Sequence, residues 1–291
     1  MADIAYRAAR PDDVGRMADL FLTALSDMYG RNNISAPAPP RGAVLLGYEH
    51  VRSTGVFRLA ESDGRIIAIA GAIIRDKLWY LSAFWVYPDM QQKKIGMPLL
   101  RQVFEAGKEA GAAAFFTWSS VDMTAMASYM KVGMLPGYEI LAFEGAPDRL
   151  HDAPYGCESA PLEMSVAMEL DLTVRGTRRE VDHELWSGRA GLMGRQVLCN
   201  GKAAGYYYIN RGVIGPAAWK EPRYAGAVLA LACRDAAAME RKIGFAVPGI
   251  NKTAIRFALD SGLRLVNNFH FLTSARFGRM EQYLPSGPSL Y

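Results

Sequence analysis

The stretch Val86-Tyr87-Pro88-Asp89-Met90-Gln91-Gln92-Lys93-Lys94-Ile95-Gly96-Met97-Pro98-Leu99-Leu100 decides how this chain is read. The aromatic-rich, charge-free residues 78–86 before it read as a strand. After it, Leu99, Leu100, Val103, Ala106, Gly107 and Ala110 recur at helical spacing. Pro98 falls in the first turn of that helix, where a missing N–H costs nothing. The order is therefore strand, loop, helix. A loop feeding a helix turns successive backbone N–H groups toward one point, and the helix dipole adds about half a positive charge there. Such a point suits a phosphate or pyrophosphate, and Lys93 and Lys94 stand beside it as two cations.

Upstream, residues 4–7 read as a short strand. Pro11-Asp12-Asp13 opens a helix carrying Val14, Met17, Ala18, Phe21, Leu22 and Leu25 on one face. Residues 36–40 hold three prolines and read as a loop. Strands 57–60 and 66–74 join at Asp63-Gly64, a hairpin signal. Downstream, the pattern predicts a strand at 114–119, a short helix at 124–132 closed by Gly133, and a strand at 135–143. A long loop at 145–161 and a strand at 164–170 follow. The second half predicts a helix at 177–186 and strands at 192–198, 203–209 and 213–218. A helix at 225–240, a strand at 243–247, a helix at 251–261 and a strand at 264–271 complete it. The mixture is an α/β fold with a mixed sheet.

The halves repeat. At an offset of 129, Phe116 meets Phe245, Asp122 meets Asn251, Thr124 meets Thr253, Ala125 meets Ala254, Gly133 meets Gly262 and Met134 meets Leu263. Asp63-Gly64-Arg65 resembles Asn200-Gly201-Lys202 at an offset of 137. The shift from 137 to 129 removes eight residues, including the counterpart of Gln91–Gly96. Two domains result, 1–172 and 173–291, the second shorter and without the loop.

Composition bounds the remaining possibilities. With 51% hydrophobic and 21% charged residues, the chain has ample material for a core and is not a disordered chain. The longest charge-free run, 110–121, has 12 residues, too short for a membrane span. Met1-Ala2-Asp3 has neither a basic start nor an apolar core, so no leader is expected. Residues 1–150 carry 16 basic and 16 acidic side chains, and 151–291 carry 17 and 13. That excess is too thinly spread for nucleic-acid binding. Cys157, Cys199 and Cys233 are odd in number and far apart, so buried free thiols in a reducing cytoplasm are expected rather than disulfides or zinc. The four histidines form no ligand-spaced pair, and no metal is expected.

The 86–100 stretch resembles the signature of the GCN5-related N-acetyltransferases (GNAT): Val-x-Pro, two residues, Gln or Arg, two residues, Gly-x-Gly or Gly-x-Ala, then a Leu-rich helix. Val86, Pro88, Gln91, Ile95, Gly96, Leu99 and Leu100 match. Lys94 stands where the family usually has glycine, a costly choice if φ there is positive. A second resemblance is Ala125-x-x-x-Tyr129-x-Lys131-x-Gly133-Met134, where Met134 replaces a Phe. Together they identify a tandem member of the superfamily, two acyl-CoA N-acyltransferase-like domains of which the second is degenerate. The counterpart of Tyr129 in that second half is Ala258.

The resemblance implies acetyl-CoA, or another acyl-CoA, as co-substrate. Its pyrophosphate would lie on the amides of residues 92–97, so Gln91, Gln92, Lys93, Lys94, Ile95, Gly96 and Met97 are the expected binding loop. Its pantetheine would pair with the strand ending in Phe84, Trp85 and Val86, and a backbone N–H near Trp85 or Val86 would hold the oxyanion. Tyr129 would protonate the departing thiolate. The acceptor would be a small-molecule amine or a peptide, attacking directly in a ternary complex. Residues 78–87 contain no carboxylate, so Asp89, Asp122, Glu139 and the terminal carboxylate of Tyr291 are the candidate bases. The absent base and Lys94 keep open a non-catalytic acyl-CoA-binding or regulatory protein. A purely structural α/β interaction module is a third reading.

Overall fold

The computed structural model describes residues 4–291, so the reading of Met1-Ala2-Asp3 lies outside the described residues. The chain divides into two units. Unit 1 runs to Leu135 and includes Leu272–Ala275 and Leu290. Unit 2 comprises Pro136–Phe271, Arg276–Ser289 and Tyr291. The repeat boundary near Leu172 follows a different division and falls inside a helix.

Unit 1 is built on β1 (Ala5–Ala8), β2 (Gly55–Ser62), β3 (Arg65–Arg75), β4 (Leu78–Val86) and β5 (Ala114–Ser119), paired in that order. The hairpin at Asp63-Gly64 forms with φ of 50° and 74°, values that Asp and Gly tolerate. The first three pairings are antiparallel, and β4–β5 is parallel. Leu272–Ala275 completes the unit. Ser274 N–H donates to Phe115 O at 2.8 Å, and Phe115 N–H donates to Ser274 Oγ at 3.0 Å.

Helices α1 (Val14–Arg31) and α2 (Arg41–Thr54) cover one face of this sheet, with Phe21 against Trp85 and Tyr48 against Phe57. α2 was not expected from the proline-rich segment before it. Pro40 ends that segment as the residue preceding the helix. On the other face lie α3 (Gly96–Glu109) and α4 (Met123–Lys131). Leu99, Leu100 and Val103 of α3 pack there with Trp79, Leu81 and Phe115 in one core, at about 1.5–3 kcal/mol for each large side chain fully buried.

Unit 2 contains β6 (Leu135–Gly145), β7 (Cys157–Pro161), α5 (Met164–Arg175), α6 (Glu180–Ser187), β8 (Leu192–Cys199), β9 (Lys202–Asn210) and β10 (Val213–Trp219). It continues with α7 (Ala225–Met239), β11 (Ile243–Pro248), α8 (Lys252–Asp260), β12 (Arg264–Thr273) and β13 (Tyr283–Leu284). The strand order is β12-β6-β11-β10-β9-β8-β7, with β13 on β10. The repeat is carried into the elements. β5 and β11, and α4 and α8, have the same lengths at an offset of 129. Gly133 and Gly262 end the two helices with φ of 93° and 80°.

Three expectations fail. Residues 164–170 are not a strand but the start of α5. Ala167, Leu170 and Val174 are its buried stripe, and Gly176 closes it in the left-handed conformation, φ 78°. The loop at 145–161 contains β7. Cys157 and Cys199 are not free: they form a disulfide, because β7 and β8 pair with these two residues directly opposite, Cα atoms 4.1 Å apart. Cys233 is free and buried, which pushes its thiol up to about 12.

Candidate functional site

The site grows from the place where β4 and β5 part. Their parallel register runs from Leu78↔Ala114 to Leu81↔Thr117, and among the described residues the ladder goes no further. β4 continues to Val86, paired on its other edge with β3 through Trp85↔Ile69 and Val86↔Ala68. The pairing with β3 shifts between Leu81 and Ala83, so Ser82 is a bulge at the parting point. Beyond it, the β5-side edge of β4 lies outside the parallel ladder.

Side chains alternate along this segment. Phe84 and Val86 face α3 and α4: a Cβ built on Gly96 would lie 2.9 Å from Phe84 Cζ and 3.4 Å from Val86 Cγ2. Only glycine lets the start of α3 approach the strand this closely. The Phe84 ring also lies 5.9 Å from that of Tyr129. Trp85 faces the opposite side, its ring 4.9 Å from Phe21 of α1.

The loop is held at both ends and exposed between them. The Arg65 guanidinium pairs with Asp89 at 2.8 Å and lies 4.3 Å over the Tyr87 ring. Gln91 Nε2 donates to Val86 O at 3.3 Å, and Tyr6 Oη donates to Ile95 O at 3.3 Å. Ile95 is buried, whereas Gln92, Lys93 and Lys94 are exposed. Gln92 and Lys94 have φ of 63° and 61°. Non-glycine residues in that region cost about 1–2 kcal/mol each. Strain of this kind persists where the surrounding structure imposes it, often at ligand clamps. The lysine at the family's glycine position thus adopts the glycine conformation.

Tyr129 lies on α4, buried among Leu99, Leu100 and Met126. Burial, with a smaller contribution from the Asp122 carboxylate, holds its phenol well above the usual range. It is therefore protonated across neutral pH. Asp122 caps α4, accepting from Thr124 N–H at 2.9 Å and Ala125 N–H at 3.1 Å.

The other candidate bases are engaged. Asp89 is exposed and held by Arg65, whose hydrogen bond lowers its pKa. In unit 2, Glu139 Oε1 lies 2.9 Å from His270 Nδ1, a pairing with no sequence signal because β6 and β12 supply one residue each. The Tyr291 carbonyl accepts from Arg179 Nη1 at 2.9 Å.

Unit 2 holds a second polar assembly that the sequence marks only through the run Tyr206-Tyr207-Tyr208. Asp171 of α5 accepts from Arg179 Nε at 2.6 Å and from Tyr206 Oη at 2.6 Å, and lies 2.9 Å from His183 Nε2 of α6. Tyr208 Oη lies 3.0 Å from His183 Nδ1. All five side chains are essentially inaccessible. Burial would raise the Asp171 pKa, but Arg179 and His183 override it and hold the carboxylate well below its ordinary range. This is an internal fastening of α5, α6 and β9.

Residues 22–134 match the family model described as the acetyltransferase (GNAT) family. The chain is similar in structure to a putative acetyltransferase from Pyrococcus horikoshii, with a TM-score of 0.78 at 18% identity, covering 99% of this chain and 96% of that one. It is similar to a GCN5-related N-acetyltransferase from Sphaerobacter thermophilus, with a TM-score of 0.65 at 15% identity and coverage of 93% and 95%. It is also similar to a tandem GNAT protein from the clavulanic acid biosynthesis pathway, with a TM-score of 0.63 at 14% identity and coverage of 93% and 98%. A comparison with curated proteins found no match. The match to the acetyltransferase (GNAT) family model thus lies within the first unit, and over nearly its whole length the chain shares the fold of these proteins, a tandem GNAT protein among them. Among the described residues, no helix is long and apolar enough to cross a membrane.

Proposed function

We propose that unit 1 transfers an acetyl or other acyl group from acyl-CoA to an amine, and that residues 173–291 are a degenerate copy of 1–172. The observation that carries this reading is the parting of β4 from β5 after Leu81↔Thr117, next to the strained loop that opens α3. The amides of residues 92–97 receive the pyrophosphate, with Lys93 and Lys94 beside it. The β4 edge from Ser82 to Val86 pairs with the pantetheine arm, and a backbone N–H near Trp85 or Val86 stabilises the oxyanion. The amine of a small molecule or peptide attacks the thioester carbonyl. The C–S bond breaks as Tyr129 donates its proton to the leaving thiolate, and the proton that the amine nitrogen loses passes to water and restores the phenol. Reliance on acyl-CoA fits work in the cytoplasm, where the Cys157–Cys199 bridge would have to withstand reduction.

The test is free-thiol release from acetyl-CoA against polyamines, amino acids, aminoglycosides and peptides, with calorimetry of acetyl-CoA binding. Turnover with at least one amine class is expected. Absence of binding by the wild-type chain rejects the assignment. A second reading, a non-catalytic acyl-CoA binder, is favoured by the engagement of Asp89 with Arg65 and of Asp122 with α4. Binding without thiol release across the whole panel would select it.

A further inference from the structure

The two units treat the same sheet edge differently. In unit 2 the parallel ladder is short: β10 pairs with β11 only at Val213↔Gly244 and Ile214↔Phe245. The pairing of β10 with β9 then shifts between Ile214 and Ala217, as that of β4 with β3 shifts at Ser82. Ala217-Ala218-Trp219 follows the shift as Ala83-Phe84-Trp85 follows the bulge. Ala217 and Ala218 therefore stand where unit 1 presents the edge read above as the pantetheine platform.

In unit 2 that edge is taken by the chain itself. β13 pairs antiparallel with it, Ala217↔Leu284 and Ala218↔Tyr283. Gln282 Nε2 donates to Trp219 O at 2.8 Å and to Lys220 O at 3.0 Å, extending the seal past the strand. On the opposite side, Asn251 Nδ2 donates to Tyr283 O at 3.2 Å. Asn251 is the cap of α8 and the counterpart of Asp122, so β13 spans from β10 to the helix that follows β11. Tyr283 and Leu284 are completely buried, and the Arg175 guanidinium lies 4.8 Å over the Tyr283 ring.

We propose that residues 280–284 are a built-in occupant of the unit 2 cleft, a strap that makes there the backbone pairing an acyl-CoA arm would make in unit 1. Unit 2 is closed to acyl-CoA by its own chain, and each chain binds a single acyl-CoA. This rests on the reading of unit 1 given above. Replacing the strap would mean breaking its ladder pairing, leaving the carbonyls served by Gln282 without a donor and uncovering two buried side chains. The segment that precedes α7 offers no loop to reward it. It is a 3-10 turn at Pro222–Tyr224 running straight into the helix, and no residue from 220 to 225 has positive φ.

The experiment is equilibrium dialysis of radiolabelled acetyl-CoA with the full-length chain and its Gly96→Glu variant, alongside amide hydrogen exchange at saturating acetyl-CoA. One molecule bound per wild-type chain, none bound by Gly96→Glu, and unchanged protection of residues 280–284 are expected. Two molecules per chain, one retained by Gly96→Glu, or exposure of 280–284 on adding acetyl-CoA would overturn the strap. No binding by wild type with the segment still protected agrees with a closed unit 2 and rejects the unit 1 reading instead.

Discussion

At the scale of single residues, the proposed chemistry rests most on Lys94 and Tyr129. Tyr129 is the proposed acid, and its burial keeps its proton on. Tyr129→Phe should lower kcat by about 10²–10⁴-fold with the acetyl-CoA Kd little changed. Unchanged turnover would remove it from the mechanism. Lys94 can be dissected by two substitutions. Lys94→Ala removes the charge and keeps the left-handed backbone, while Lys94→Gly removes the steric cost as well. In urea titrations the glycine variant should be more stable than the alanine variant by about 1 kcal/mol. Any loss of acyl-CoA affinity common to both reports the charge. The loop before α3 and the helix that carries Tyr129 were legible as elements because turn residues, caps and apolar period are local signals. The pairing of Glu139 with His270 was not, because 131 residues separate them and only strand register joins them.

At the scale of elements, α3 shows how closely helix and sheet are fitted. A Cβ on Gly107 would lie 2.4 Å from Trp79 Cδ1 and 2.8 Å from Phe115 Cε1. Gly107→Ala should therefore destabilise the protein by about 1–3 kcal/mol despite alanine's better helix propensity, as read from the urea midpoint. The apolar stripe of α3 was plain from its period, but the need for a glycine within it was not, since it depends on which rings the opposite strand presents. Residues 164–170 failed for the opposite reason. Seven residues with mixed spacing do not separate a strand from a helix, and the stripe becomes clear only when Val174 and the Gly176 cap are included.

At the scale of the whole chain, unit 2 stands on two fastenings. One is the Asp171–Arg179–His183 assembly. Asp171→Asn leaves the buried Arg179 without its carboxylate and should cost about 3–5 kcal/mol in chemical denaturation. The wild-type contribution has a pH sign. The native carboxyl pKa is depressed, so the stabilisation is full above the unfolded value near about 4 and is lost as pH falls through the native one. The acid-induced loss of stability should accordingly be smaller in Asp171→Asn. The other fastening is the disulfide. Thiol titration should find one reactive group per unfolded chain before reduction, that of Cys233, and three afterwards. Three before reduction would refute the bridge.

By itself the sequence determined the fold class, the 129-residue offset between matching elements, the loop that opens α3 and the helix that carries Tyr129. Each of these is written in local chemistry: period, turn residues, and a glycine before a helix. Only the tertiary structure decided that Cys157 faces Cys199, that Asp171, Arg179 and His183 share one buried place, and that β13 lies on β10. Those facts depend on which strands pair and in what register. Register is a property of distant segments meeting, and no local pattern encodes it.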